Sequence, residues 1–264
     1  GLDGRAGDVA THRVAGDIDA GGRGQRAAGC GGDGVEVVRQ LVGVFDAGAH
    51  VVVVAAVAGR GPGIALLDQV AADRPDLYLA NSRNVQRRIA KYFRQESEVV
   101  YPPVEVGRFS AVKAHEDYFL IVSTLAAYKR VDLAVALFNR VGKRLIVIGD
   151  GPERAKLEAM AKENVEFLGF KSDEVVKEYL ENCRAFVFPG EEDFGISPVE
   201  AMACGKPVLA YGKGGLLESV VAGKTGEFFY QPTVEAMEDA LGRLIANEKH
   251  YKAKHIREHA EGFS

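Results

Sequence analysis

The sequence predicts an α/β protein whose main body is a parallel, Rossmann-like sheet with helices on both faces, preceded by a poorly structured or incomplete N-terminal segment. Three observations carry that prediction. Short apolar runs recur beyond Pro103, at 118–123, 145–148, 165–170, 185–188 and 207–211. They are apolar nearly throughout rather than at alternate positions, as strands buried on both faces are. Between them lie amphipathic stretches; in 129–141, Val131, Ala134, Val135 and Phe138 recur at the spacing of one helix face. Finally, the turns that follow the runs are glycine-rich or acidic: Gly149-Asp150-Gly151, Glu191-Glu192-Asp193 and Gly214-Gly215. Strands alternating with helices make a parallel sheet, and such sheets bind ligands at the carboxyl ends of their strands.

Composition narrows the function classes. The chain has 264 residues, 47% hydrophobic and 27% charged, with a formal net charge of −4. These values are ordinary for a soluble globular protein and give no electrostatic case for nucleic acid. The three cysteines, Cys30, Cys183 and Cys204, are odd in number and lack metal-ligand spacing. A disulfide framework and a zinc site are therefore not indicated, and a reducing, cytoplasmic compartment is expected. The longest apolar run, 51–58, is too short to span a bilayer, and no signal pattern opens the sequence.

Taken in order, residues 1–35 are rich in Gly, Ala, Asp and Arg and offer little to bury, so an ordered core is not expected there. No lysine occurs before Lys91, which sets the early sequence apart and fits an out-of-frame translation. The run 51–58 reads as a buried strand. It leads into Gly59-Arg60-Gly61-Pro62-Gly63-Ile64, which is a turn rather than a dinucleotide fingerprint. Ile64 stands where the third glycine is needed, and Pro62 interrupts the helix start. Residues 66–73 read as a helix and 77–82 as a strand. Asn81 or Ser82 then caps a helix over 85–93. Pro102-Pro103 is a stiff linker and the expected domain boundary. The sequence thus divides into an unassigned 1–64, a remnant at 65–101, and a Rossmann-like domain at 102–264. Within the last, helices are expected over 129–141, 153–161 and 234–247, another begins at Ser172 or Asp173, and 226–230 is a short strand. Cys204 reads as a small core residue; His250, His255 and His259 fall on a terminal helix and read as solvated.

The stretch 185–210 is the most site-like. A strand is followed by an acidic loop, a short helix and another strand. Ser197 is the N-cap candidate, Pro198 takes the first helical position, and Glu200 completes a capping box three residues on. Gly205 closes the helix. Backbone N–H groups from Gly195 to Val199 would point at a ligand above the helix N-terminus, which suits a phosphate. Glu192 and Glu200 flank this loop.

From about residue 65 onward the chain resembles the C-terminal part of retaining glycosyltransferases of family 4, which have the GT-B fold. The resemblance rests on an ordered set of motifs: Ala80-Asn81-Ser82, 101–109, 122–130, Ile148-Gly149-Asp150-Gly151-Pro152-Glu153, 167–170, 192–208 and Gly214-Gly215-Leu216-Leu217-Glu218. It implies a two-domain, mannosyltransferase-like enzyme with its active site between the domains. The C-terminal domain would hold a nucleotide-sugar donor such as GDP-mannose, and the N-terminal domain a glycan or lipid-linked acceptor. By position, Glu200 would accept hydrogen bonds from the ribose and Glu192 would lie near the transferred sugar. The amides of Gly195, Ile196 and Ser197 would face sugar and diphosphate. Lys129 would neutralise the leaving diphosphate, the role a metal plays elsewhere; no metal or other cofactor is expected. Phe170 and Lys171 would border the base, and Thr124, Gly149 and Asp150 would line the donor site. The resemblance leaves room for peripheral membrane association of a full-length enzyme.

Simpler roles stand beside these. Glu200 could serve only its helix, and Asp150 only its turn. A lysine in the first turn of 129–141 opposes the helix dipole, which argues for an anion beside Lys129. The sequence also departs from the family pattern. Thr124 stands where an arginine is usual, only 65–101 matches the acceptor domain, and the chain stops at Gly262-Phe263-Ser264, where the family continues into a further helix. The sequence therefore reads as a fragment or damaged gene product, and a non-catalytic nucleotide-binding module is the alternative function.

Overall fold

Strands of the larger sheet send their side chains alternately to two faces, both buried except at the edge strand Val165–Gly169, where Glu166 is exposed. The computed structural model describes residues 41–46, 49–54, 75–111 and 115–264, the first two stretches as backbone. The six-stranded sheet comprises β5 (Phe119–Val122), β6 (Leu145–Ile148), β7 (Val165–Gly169), β8 (Ala185–Phe188), β9 (Val208–Tyr211) and β10 (Gly226–Phe229). Its order is β10-β9-β8-β5-β6-β7, with every pairing parallel. On one face Leu120, Ile146, Phe186, Phe188 and Val208 pack against Leu180 of α4 (Asp173–Asn182), Met202 of α5 (Ile196–Ala203) and Ile256 of α8 (Ala253–Ala260). On the other, Phe119, Ile121, Val147, Val187 and Leu209 meet α2 (Val131–Val141), Leu157 of α3 (Arg154–Met160) and Leu241 of α7 (Val234–Ala246). This is the doubly covered parallel sheet that the continuous apolar runs predict.

A smaller sheet precedes it, ordered β1 (Leu41–Asp46), β2 (Ala49–Val54), β3 (Leu77–Ala80) and β4 (Glu98–Val99). β1 and β2 are antiparallel; the other pairings are parallel. Helix α1 (Arg83–Tyr92) packs Val85 and Ile89 onto Tyr78 and Ala80 of β3. Ser82, rather than Asn81, is its N-cap, accepting from the Val85 N–H at 3.1 Å. The expectations for 1–35, for the turn 59–64 and for the helix 66–73 lie outside the described residues, as does the end of the expected strand 51–58.

The helix expected over 129–141 begins at Val131, not Lys129. Ala127–Lys129 is a 3-10 turn, and Arg130 enters the helix from a left-handed conformation (φ 52°). The four buried positions Val131, Ala134, Val135 and Phe138 form the predicted face. Helix α5 also starts differently from its sequence signature. Gly195, at φ 91°, is the N-cap, no side chain caps it, and the capping box of Ser197 and Glu200 does not form. Pro198 consequently sits in the third helical position, where its missing N–H still costs no intrahelical bond. The helix ends as its glycine predicts. Gly205 (φ 74°) donates to the Met202 carbonyl at 2.8 Å and Lys206 to that of Ala201 at 3.0 Å, the paired bonds of a Schellman stop.

The C-terminal helix is tied to neighbouring helices and to the segment ending at Phe109 by polar groups. Arg257 of α8 donates to the carbonyls of Phe109 (2.6 Å) and Ala203 (2.8 Å). His259, expected to be solvated, instead contacts the Ser219 carbonyl through Nε2 at 2.7 Å and meets the Phe263 ring edge-on. His250 lies in a separate 3-10 turn, Glu248–His250, before α8. Cys183 and Cys204 are fully buried thiols, and burial pushes Cys183 up to about 12. Among the described residues no helix is long and apolar enough to cross a membrane.

Candidate active site

Loops leaving the carboxyl ends of β5, β6, β8 and β9 are locked together by glycines at positions where a side chain has no room. Gly149 (φ 132°) would place a Cβ 1.9 Å from the Ser123 carbonyl, and Gly190 would place one 2.8 Å from Lys129 Cα. Gly214 (φ 72°) and Gly215 would drive a Cβ to 2.2 Å and 2.0 Å from the carbonyls of Glu192 and Asp193. Backbone bonds join the same loops: Leu125 donates to Asp150 (2.9 Å), and Gly215 to Glu192 (2.8 Å). The close approach of these backbones is what brings charged side chains from distant segments to one place.

Three consecutive carboxylates each hold a different cation. Glu191 pairs with Lys213 beyond β9 at 2.8 Å, Glu192 with Lys129 beyond β5, and Asp193 with Arg88 of α1 at 2.5 Å. The Lys129 side chain is only 14% exposed and its ammonium lies 5.4 Å from the centre of the Phe188 ring. Lys129 precedes the helix, so the dipole argument for an anion beside it does not apply; Glu192 reaches it across the strand ends. The second oxygen of Glu192 accepts the Asp193 N–H at 3.1 Å. Burial is the largest influence on Asp193 and pushes its carboxyl up to about 6, with Arg88 pulling the other way and Glu192 and Glu191 adding to the rise.

Helix α5 begins directly beyond this loop, with the amides of Gly195, Ile196 and Ser197 at its uncapped end. An uncapped N-terminus presents unsatisfied N–H groups and partial positive charge. The half-buried Glu200 lies one turn in; burial raises its pKa, Arg108 opposes the rise, and Asp173 adds to it. Among the described residues no hydrogen bond reaches its carboxylate. Phe170 is 83% exposed at the end of β7, followed by the half-buried Lys171. Thr124 is exposed on the β5 loop. The exposed Asp150 is engaged by its own turn: it accepts from the Gly151 N–H at 2.8 Å and pairs with Arg154 at 2.8 Å, and these hold its carboxyl below the usual range. Among the described residues no group of three or more His, Cys, Asp or Glu side chains is placed to hold a metal ion.

Two site neighbours have no counterpart among the sequence candidates. Arg88 lies 105 residues from Asp193, a separation at which spacing carries no signal. Glu218 was visible only as the last residue of the Gly214-Gly215-Leu216-Leu217-Glu218 motif. In the structure its two oxygens accept the N–H groups of Arg83 and Asn84, both at 2.9 Å, and Tyr101 donates its hydroxyl at 3.1 Å.

Comparison with known proteins gives the family and the fold. The family described as "Glycosyl transferases group 1" matches residues 106–262. An uncharacterized glycosyltransferase of Methanocaldococcus jannaschii is 27% identical, over 68% of this chain and 52% of its own length. The alpha-1,3/1,6-mannosyltransferase ALG2 of Dictyostelium discoideum is 26% identical, over 69% and 55%. A GDP-mannose-dependent alpha-(1-6)-phosphatidylinositol dimannoside mannosyltransferase of Mycobacterium tuberculosis is 28% identical, over 72% and 46%. The chain thus spans about half the length of the curated relatives it matches. Among solved structures, sucrose-phosphate synthase of Thermosynechococcus elongatus superposes with a TM-score of 0.70 at 22% identity, over 77% of this chain and 58% of that one. Anabaena HepE in complex with UDP and glucose gives 0.68 at 20% identity, over 76% and 62%. Fold, motif order and the match across 106–262 converge, and the chain belongs to the group 1 glycosyl transferases.

Proposed function

We propose that this chain is the donor-binding part of a retaining hexosyltransferase that takes mannose from GDP-mannose to a glycan or lipid-linked acceptor. The observation that carries the reading is the Lys129–Glu192 pair at the mouth of an uncapped helix, with the Glu200 carboxylate one turn further in. A diphosphate seated there would meet the amides of Gly195 to Ser197 and the Lys129 ammonium. Glu200 would accept from the ribose hydroxyls, and Phe170 and Lys171 would border the base. Mannosyltransferases among the relatives favour mannose, and a GDP-mannose-dependent one favours that donor.

In the proposed reaction the bond from the anomeric carbon to the diphosphate oxygen breaks as the acceptor oxygen bonds to the same face of that carbon. The acceptor's proton passes to the departing diphosphate. Lys129 and the helix amides stabilise the developing charge, as preorganised donors do, so the reaction needs no metal. The reading takes the enzyme as cytoplasmic, with a lipid-linked acceptor drawing a full-length enzyme to the membrane surface. A second reading, nucleotide binding without transfer, is favoured by Thr124, which leaves Lys129 without the second cation that the family resemblance implies.

Isothermal calorimetry with GDP, GDP-mannose, UDP and UDP-glucose tests the proposal. Binding of GDP-mannose is expected, weakened by about tenfold or more in Glu200→Ala, as loss of a charged hydrogen-bond acceptor entails. Absence of any nucleotide binding at millimolar ligand overturns it. Donor hydrolysis or transfer by the purified chain would dispose of the second reading.

A further inference from the structure

Helix α1 belongs to the smaller sheet, yet it grips the larger one at two points, the short helix that carries Glu218 and the acidic loop. At its N-terminus, the Arg83 and Asn84 N–H groups are capped by Glu218 of α6 (Leu216–Ser219). Further along, Arg88 pairs with Asp193. The residues between these points are joined without slack. Gly215, at the head of α6, donates to the Glu192 carbonyl, and Gly214 bridges to Glu192 as a parallel partner. Asp193, held by Arg88 through its side chain, donates its own N–H to the Glu192 carboxylate. Glu192 therefore has its carbonyl fixed from α6 and one carboxylate oxygen steadied from Asp193 while the other pairs with Lys129; the first two supports lead back to α1.

We propose that Arg88 and Glu218 are positioning residues, through which helix α1 sets the place of the Glu192 carboxylate over the end of α5. This inference rests on the donor-site reading above. The physical reason is the angular tolerance of a carboxylate beside a reacting sugar. Displacement by an ångström at such a site costs far more in function than in stability. Charged contacts suit this task better than they suit stabilisation. A half-buried ion pair contributes little net stability against apolar residues of the same size, whereas its geometry is directional.

The test uses Arg88→Met, Arg88→Lys and Glu218→Gln in the full chain. Amide hydrogen exchange is followed at 190–195 and at Ala185–Phe188, with calorimetry against GDP and GDP-mannose, and UDP and UDP-glucose in parallel. In Arg88→Met, exchange at 190–195 is expected to quicken about tenfold while β8 stays unchanged, the mark of local rather than global opening. Affinity for the sugar nucleotide should fall about five- to tenfold, with that for the plain nucleoside diphosphate held within about twofold. Arg88→Lys should recover part of the loss, and Glu218→Gln, which keeps its shape, should repeat the pattern more weakly. Unchanged loop exchange in both Arg88→Met and Glu218→Gln overturns the proposal, as does equal weakening of both ligands. If the unaltered chain binds no nucleotide, the donor-site reading fails, and the exchange result alone decides whether α1 holds the loop.

Discussion

At Asp193, burial and pairing pull in opposite directions, and burial prevails. Its carboxyl titrates near 6, while an exposed aspartate titrates near 3.9. Between those values the folded chain binds more proton than the unfolded one. Asp193 therefore adds stability that is fully present below about pH 4 and is lost as pH rises through about 6. Thermal melts of the native chain and Asp193→Asn across that window should show the native chain's advantage shrinking as pH rises. A difference that stays constant, or grows, would refute the account. The carboxylates of Glu248, Glu174 and Glu235 are shifted down and slope the other way, so the comparison must be between the two proteins and not within one curve.

Among the elements, α2 and the Gly214 turn make the sharpest claims. Phe138 is fully buried against Phe119, their ring centres 5.1 Å apart. Its truncation to alanine should cost about 3–5 kcal/mol in chemical denaturation, as large core deletions do. Gly214→Ala should be more damaging to nucleotide binding than to folding, because the added methyl meets the Glu192 carbonyl and the backbone there is left-handed; unchanged binding would contradict the stitched-loop geometry. The face of α2 was legible because periodic apolar residues have one physical meaning, burial against a sheet. Helix starts were less legible. Ser197 and Glu200 have the spacing of a capping box, but Gly195 can turn the chain into the helix earlier, and only its left-handed backbone at the N-cap reveals that it does. Sequence periodicity puts Lys129 in a helix for a related reason: the apolar spacing of α2 cannot say whether the preceding turn is 3-10.

Across the whole molecule, the parallel sheet was readable because most of its strands are apolar on both sides, and the donor-site candidates were readable because the sheet delivers them to strand ends. The contacts of Arg88 and Glu218 were not, since each joins residues more than a hundred positions apart. Arg257 is another such tie. It satisfies the carbonyls of Phe109 and Ala203 and so holds the segment after Pro103 against α5. Arg257→Ala should lower stability by about 1–3 kcal/mol in urea, the cost of leaving partly buried acceptors unpaired; a change below about 0.5 kcal/mol would show that water replaces it.

The cap that Glu218 supplies to α1 also bears on the order of assembly. The donors it satisfies lie 134 and 135 residues earlier in the chain. At translation rates of about 5–20 residues per second, α1 leaves the ribosome on the order of ten seconds before its cap is made. Until then Ser82 alone closes the helix, and the acidic end of α6 must arrive before α1 is complete. Closing so long a loop is entropically slow, which makes the finishing of α1 a late event in the birth of the protein, timed by synthesis rather than by local sequence.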